Sequence, residues 1–314
     1  MVTYIVRRLV LTLIVLIIVS FLSFSLMHVM PGDPAATMLG LGATQDEINA
    51  LRKELWLDRP FFVQYGHWVY NLMQGDLGIS IMYRDPINEL LATRLPITLY
   101  ISTLALVLST LIGILAGIIC AVRRGGFIDQ SISLLANLGI AIPVFWLGIL
   151  GIYFFGYKLG WLPMQGWVSP LDDFILSFKS VIMPVFLLAV PGIAVMARQT
   201  RSSMLEVIRQ DYIRTAFSKG LRERVVVIRH ALRNALIPVI TLLGLQVRVL
   251  IGGSVLIETI FNIPGMGRLL VTGAFNKDFL VMQAGVLLMG GIVCLTNLLV
   301  DVSYGWLDPR IRYE

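Results

Sequence analysis

Apolar residues gather in six blocks along this chain, separated by polar or glycine- and proline-rich sequence: Leu9–Met30, Ile97–Val122, Leu134–Tyr157, Val181–Ala197, Leu236–Ile257 and Leu280–Tyr304. A helix needs about 20 mostly apolar residues to cross a bilayer. The pattern therefore predicts an all-α integral membrane protein with six transmembrane helices. The fourth block is the shortest and contains Pro184 and Pro191-Gly192. Such breakers are tolerated in membrane helices where neighbours satisfy the freed backbone groups. Pro96 stands just before the second block, where its missing N–H costs nothing. The first block is longer than the 7–15 residues of a signal-peptide core, so it reads as an uncleaved span.

Two polar segments stand out. Segment 31–95 is too long for a simple connection. Within it Gln45–Trp56 and Pro60–Gln74 show helical apolar spacing, and Gly75-Asp76-Leu77-Gly78 breaks the second. A small helical subdomain is expected there, with its eight acidic and five basic residues forming a solvated face. Segment 198–235 carries sharper signals. Ser203-Met-Leu-Glu206 has the form of a capping box and predicts the start of a short helix. Asp211 is placed to cap a second helix, Tyr212–Lys219, which Gly220 ends and whose negative pole Lys219 favours. Such a helix is roughly 12 Å long. A third amphipathic stretch, Val225–Asn234, leads back to Pro238 and the fifth span. From spacing alone, the loop is either a basic surface held at anionic lipid heads or a docking knob for a partner on the same side.

Composition removes whole classes of function. The 314 residues are 57% hydrophobic and only 14% charged, with a mean hydropathy of +0.82. Soluble domains are about 45–50% apolar and about 25% charged, so a soluble enzyme is excluded. Disorder is excluded as well, because it requires low hydrophobicity. Cys120 and Cys294 lie in apolar blocks, and His28, His67 and His230 are scattered, so neither a disulfide framework nor a zinc motif is present.

The net charge is +6, and its distribution sets the orientation. With the N-terminus inside, the inner segments hold fifteen Lys and Arg: Arg7 and Arg8, Arg123 and Arg124, nine in segment 198–235, and Arg310 and Arg312. The short outer loops hold four: Lys158, Lys179, Arg268 and Lys277. The positive-inside rule then puts both termini in the cytoplasm. Segment 31–95 is outer and too long to count.

A P-loop needs a glycine directly before its phosphate lysine. The five lysines follow Arg52, Tyr157, Phe178, Ser218 and Asn276. Any ATP chemistry must therefore come from another chain. Gly113-x-x-x-Gly117, Gly252-Gly253 and Gly290-Gly291 offer faces for close helix packing. Such packing serves contacts within the chain as well as contacts to another subunit.

The run Asp211-Tyr-Ile-Arg-Thr-Ala-Phe-Ser-Lys-Gly220, followed by Arg229-His-Ala-Leu-Arg-Asn-Ala-Leu-Ile-Pro238, resembles the cytoplasmic loop of ABC-type importer permeases. The resemblance is specifically to the B-type subunit of the dipeptide, oligopeptide and nickel branch. It extends along nearly the whole chain, through Arg7-Arg8-Leu9, Met30-Pro-Gly-Asp-Pro34, Gly75-Asp-Leu-Gly-Ile-Ser80, Glu258-Thr-Ile-Phe-Asn-Ile-Pro-Gly-Met-Gly-Arg268 and Asp308-Pro-Arg-Ile-Arg312.

This resemblance implies a single permease domain over 1–314 and no enzyme activity in this chain. The loop would be the coupling helix, seated in a groove of an ATPase subunit. Gly220 matches the loop glycine and Ala216 the second alanine, whose methyl is expected to meet that groove. Thr215 takes the first alanine position and Arg214 the glutamate position. The chain departs from the general motif at those two residues and lacks the Ile-x-Leu-Pro ending at the usual distance, as the peptide branch also does. Asp211, Tyr212, Arg214, Thr215, Ala216, Lys219 and Gly220 are thus the expected ATPase-coupling residues.

The implied partners are a second, C-type permease, two cytoplasmic ATPase subunits that bind ATP and Mg, an extracytoplasmic solute-binding protein and membrane lipid, with no nucleic acid. No cofactor is expected in this chain. The location would be the bacterial or archaeal cell membrane. Di- and oligopeptides are the favoured solute, with nickel or metal chelates as the alternative.

An ion-coupled secondary transporter is the competing class. It would place ionisable groups inside the spans. Only Arg248 and Asp301 lie there, with His28 and Glu258 near outer ends. Asp301, near an inner end, is read as an anchor. Arg248 sits mid-span, where arginine costs roughly 2.5–3.5 kcal/mol on insertion scales and avoids lipid. It is expected either to line the translocation pathway and favour solutes bearing a carboxylate, or to sit in a structural ion pair. Gln246 is a weaker pathway candidate on a different face of the helix.

Overall fold

The computed structural model describes residues 2–29, 32–40 and 42–307. The closing motif from Asp308, the Met30-Pro31 pair and the side chain of Asp301 lie outside the described residues. Among those described, every element is helical apart from one isolated bridge between Ile79 and Pro86. Among the described residues five helices are long and apolar enough to cross a membrane, and the count is six if one bent pair is taken as a single span. The chain divides into two units, Met1–Ile97 with Pro264–Glu314, and Thr98–Ile263.

In the first unit, α1 (Val2–Val29) packs along α13 (Phe279–Leu307). Gly290 faces Val19 so closely that a Cβ there would stand 2.8 Å from Val19 Cγ1. The Gly290-Gly291 pair therefore serves contact within the chain. α12 (Met266–Phe275) has no counterpart among the sequence-based expectations. Its Met266 and Leu269 are buried with Ile87, Leu90 and Leu91 at the start of α5 (Ile87–Val122), and with Val281 and Ala284 of α13.

The expected helical subdomain is present, as α2 (Pro34–Leu39), α3 (Gln45–Glu54) and α4 (Phe61–Met73). Asp33 caps α2 by accepting from Ala35 N at 3.1 Å, with Pro34 at the first helical position. Thr44 and Glu47 close a full capping box on α3. Hydrogen bonds from the Thr44 backbone and hydroxyl hold the Glu47 carboxyl below its ordinary pKa.

Aromatic side chains latch α4 to α1. Phe24, 2% exposed, meets Phe61, Tyr65 and Trp68 at ring separations of 5.3, 5.5 and 5.7 Å. Gly75 and Gly78 adopt φ of +81° and +84°, which only glycine enters freely. The turn they make puts the Ser80 hydroxyl 2.6 Å from Asp278 Oδ2, to which it donates.

In the second unit the third apolar block is two helices. α6 (Phe127–Ala141) and the run Val144–Lys158, which is α7 (Val144–Gly151) continued by a π segment, meet at 99°. Pro143 is the cause. It disfavours helical geometry in the residue before it, and Ile142 is extended, at φ −83° and ψ 126°. The block Leu134–Tyr157, expected as one span, is thus broken at Pro143.

α8 (Phe174–Ile208) runs unbroken through Pro184 and Pro191. It is the best-buried span, 67% against at most 39% for the others. Close packing holds the helix where proline removes a backbone bond. Gly113 and Gly117 of α5 face it, and a Cβ on either would lie 2.4 and 2.5 Å from the Cβ atoms of Met196 and Thr200. That glycine pair packs within the chain. The expected helix start at Ser203 is also corrected. Ser203 is buried inside α8, and its hydroxyl accepts from Gln199 Nε2 at 3.2 Å. Thr200, Ser203 and Met204 continue the buried stripe, so nothing ends the helix until Arg209.

Candidate functional site

The segment between the fourth and fifth spans holds the candidate site. α9 runs Asp211–Ser218, eight residues as expected but one position earlier. Asp211 is not its cap. Gln210 occupies the N-cap without a side-chain bond, and Asp211 lies in the first turn, where its charge favours the helix dipole. Its carboxylate stands 3.7 Å from Arg214 across an exposed pair of little energetic weight. The C-terminus closes tightly. Gly220 takes φ +77°, its N–H donates to Phe217 O at 2.9 Å, and Leu221 N donates to Ala216 O at 3.4 Å. These two bonds form a Schellman cap, which requires a left-handed residue at the glycine.

α9 is divided between two faces. Ile213 and Ala216, three residues apart, are buried in a core with Ala121, Met204, Val226, Val227, Ala231 and Ala235. This corrects the expectation that the Ala216 methyl points to a partner: it packs against the chain itself. The opposite face is bare. Tyr212, Arg214, Thr215, Phe217, Ser218, Lys219, Gly220 and Leu221 are all exposed. Thr215 and Ser218 turn their hydroxyls back to the carbonyls of Asp211 and Arg214. Tyr212 is fixed by Asn234, whose Nδ2 donates to the phenol oxygen at 2.8 Å. Phe217 and Leu221, which the sequence reading did not single out, leave large apolar side chains in the open.

Beyond α9 the third amphipathic stretch forms a short helix, α10 (Glu223–Val225), then a π segment, Val226–Ala231, then α11 (Leu232–Ile260). The loop is thus joined to the fifth span by continuous helical backbone. A second strut lies on the other flank. Arg201 of α8 grips Asp129 of α6 with both arms, Nε to Oδ1 at 2.7 Å and Nη2 to Oδ2 at 2.8 Å. The Gly125 N–H also donates to this carboxylate, at 2.9 Å. Bidentate geometry makes this pair a directional brace. Only the fold joins its members, 72 residues apart in sequence.

Of the two pathway candidates, Arg248 is exposed on α11, and Gln246 is buried, with its Nε2 3.4 Å from the Gly192 carbonyl of α8. Glu258, at the end of α11, is fully buried and accepts from Thr98 Oγ1 at 2.6 Å. In the first unit one buried side chain lacks partners: both amide atoms of Gln283 are unbonded among the described residues. An unmet buried polar group costs about 1–3 kcal/mol.

Residues 1–102 match the family described as the N-terminal part of binding-protein-dependent transport system membrane components, and residues 113–313 match the binding-protein-dependent transport system inner membrane component. A probable peptide ABC transporter permease protein of Sinorhizobium fredii is 42% identical over 310 residues, covering 99% of both chains. A putative peptide transport system permease protein of Brucella abortus is 43% identical over 314 residues, covering all of both. The dipeptide transport system permease protein DppB of Alkalihalophilus pseudofirmus is 40% identical over 333 aligned residues, again covering all of both. Among solved structures, an inward-facing form of the MetNI methionine ABC transporter superposes with a TM-score of 0.58 at 19% identity, over 70% of this chain and 96% of that one. That likeness concerns the fold.

Proposed function

Because this chain belongs to the binding-protein-dependent transport system inner membrane components, we propose that it is the B-type permease of an ATP-driven importer of di- and oligopeptides. The relatives named for peptide transport support this substrate. Family membership also displaces the ion-coupled alternative.

The observation that carries the mechanism is α9. It is a short, capped helix whose inner face is anchored in the chain and whose outer face leaves Phe217 and Leu221 uncovered. Exposed apolar side chains rimmed by charge mark a protein contact. Here Arg214 and Lys219 supply the rim. The partner is an ATPase subunit, one of two, holding ATP and Mg. Nucleotide-driven movement of α9 passes through α10 and the π segment into α11. The Arg201–Asp129 brace makes α6 and α8 move together. Both termini face the cytoplasm, a second permease completes the passage, and a solute-binding protein delivers peptide from outside.

Arg248 is exposed mid-span on α11, where a charge facing lipid is costly. It lines the passage and favours solutes with a free carboxylate.

The deciding experiment reconstitutes the chain with its partner subunits in liposomes and follows uptake of a labelled dipeptide. Uptake that requires ATP and the binding protein supports the reading. Uptake driven by an ion gradient without the ATPase overturns it. A cysteine at Gly125 should resist an impermeant external thiol reagent, and labelling from outside would reverse the topology.

A further inference from the structure

The first unit contains a cavity of about 230 Å³, walled by residues from α1, α2, α3, α4, the turn at Gly78 and α13. Trp56, Trp68 and Phe279 contribute aromatic wall, while Glu54 and Asp76 bring carboxylates to it. The Gln283 side chain lines this cavity, is 1% exposed, and has neither its N–H donors nor its carbonyl acceptor bonded among the described residues.

The neighbouring polar groups are differently placed. Gln64 Nε2 donates to the Arg59 carbonyl at 2.8 Å, and the Asp76 carboxylate accepts from Gly78 N at 2.9 Å. Gln283 is therefore the lining group with unspent hydrogen-bonding capacity on both amide atoms.

We propose that this cavity is a binding site for a small amine-bearing amide, with Gln283 pairing the ligand's amide group and the Glu54 and Asp76 carboxylates attracting its ammonium. A primary amide held in one plane offers a donor and an acceptor side by side. The complementary partner is a group presenting a carbonyl and an N–H on one edge, as another primary amide does; a trans peptide bond carries the two on opposite edges and could meet only one of them. Apolar and aromatic walls around a few converging polar groups are the usual build of a small-ligand site. The volume lies below the usual range of about 300–1,000 Å³ for drug-sized ligands, which limits the occupant to one or two residues' worth of atoms. Glu54 and Asp76 are exposed, so the charged end of the ligand lies toward solvent while its amide lies at Gln283. The site belongs to the first unit alone and is separate from the coupling surface and from Arg248.

The rival occupant is water, for which the cavity has room for roughly seven molecules at about 30 Å³ each. The test uses the assembled importer in lipid discs without nucleotide or binding protein, labelled with 5-fluorotryptophan. The Trp56 and Trp68 resonances are assigned by Trp56→Phe and Trp68→Phe. Glycinamide, a primary amide with a free ammonium, is the probe. Both resonances should shift saturably, and N-acetylation of the probe or Glu54→Gln should weaken binding about two- to fivefold, the weight of an exposed ion pair. Gln283→Met, which keeps the side chain's length and removes its bonding, should abolish the shift while the apo spectrum stays dispersed.

A shift absent up to about 50 mM, far weaker than millimolar binding, would mean a cavity filled by water alone and overturn the proposal. Equal binding by the acetylated probe, or by both variants, would overturn it too. ATP-driven uptake is scored separately on the same preparation. In the unsubstituted importer, no fluorine shift with intact uptake refutes this site and leaves the importer reading standing, and a saturable shift without ATP-driven uptake does the opposite.

Discussion

The segment between the first two spans and the loop between the fourth and fifth are assembled from similar pieces, short helices of ten and eight residues with well-defined ends. They dispose of their apolar side chains in different ways. In the first, one set of aromatic groups turns inward: Phe61, Tyr65 and Trp68 crowd around Phe24, and His67 stacks on Trp56 at 4.2 Å, while Phe62 and Tyr70 on the other side stay exposed. In the second, the small groups turn inward and the large ones outward. Ile213 and Ala216 are buried, and Phe217 and Tyr212 stay exposed. The first segment is held to α1 by some of its largest groups, where the hydrophobic return per residue is greatest. A segment that must meet a partner is anchored by less and leaves larger groups to the contact.

The sharpest way to break this comparison is to exchange the roles of the two faces of α9. Ala216→Arg should abolish uptake by unfolding the loop, because the charge would enter the core shared with Met204 and Val226. Limited proteolysis should then cut between Arg209 and Arg224 in the variant alone. An intact loop with uptake lost would instead place Ala216 at the partner. Next in size is Phe24→Ala in the first unit, expected to cost about 3–5 kcal/mol and seen as a lower melting temperature in detergent. A change under about 1 kcal/mol would mean that the aromatic latch is not what holds α4 to α1.

Phe217→Ala should leave the melting temperature of the isolated chain unchanged. It should cut ATP-driven uptake severalfold and weaken ATPase binding by about 1–2 kcal/mol, the range of a contact residue at or just below hot-spot strength. A stability loss with normal binding would make both segments alike. Arg248→Met should lower uptake of peptides with a free C-terminus more than of amidated ones, and an equal loss for both would point to a structural role.

The smallest effect is at the α3 cap. Thr44→Ala should speed amide exchange in the first turn of α3 alone. Acid should do the same to the native protein. The Glu47 carboxyl titrates lower in the folded state, so its contribution is present above the ordinary glutamate value of 4.5 and is lost as pH falls through the depressed folded value. Unchanged first-turn exchange at low pH would show that the box contributes nothing.

Local signals were legible where the chain's own neighbours decide the outcome. The glycines at 75 and 78 and the stop at Gly220 act over three or four residues, and each forms in the structure; the capping box of Thr44 and Glu47, which the sequence reading did not single out, acts over the same distance. The same grammar misled at Ser203-Met-Leu-Glu206. A capping box starts a helix only if the chain is not already helical, and the packing of Met196, Thr200 and Met204 carries α8 straight through. Pro143 shows the converse. Its effect on Ile142 is local, yet an apolar block long enough to span conceals the 99° bend.

By itself the sequence determined that this is a helical membrane protein, where its apolar blocks fall, and where the polar loop between the fourth and fifth of them is cut into an eight-residue helix. Those features follow from composition, from periodicity and from interactions a few residues apart. Only the tertiary structure decided which face of that helix looks outward, that Gly113 and Gly117 serve α8, that Arg201 closes on Asp129, and that the Gln283 side-chain amide is buried and unbonded among the described residues. Each of these depends on pairing positions tens or hundreds of residues apart. A side chain's spacing along the chain names the face it shares, and only the element packed against that face settles whether it is core, brace or surface.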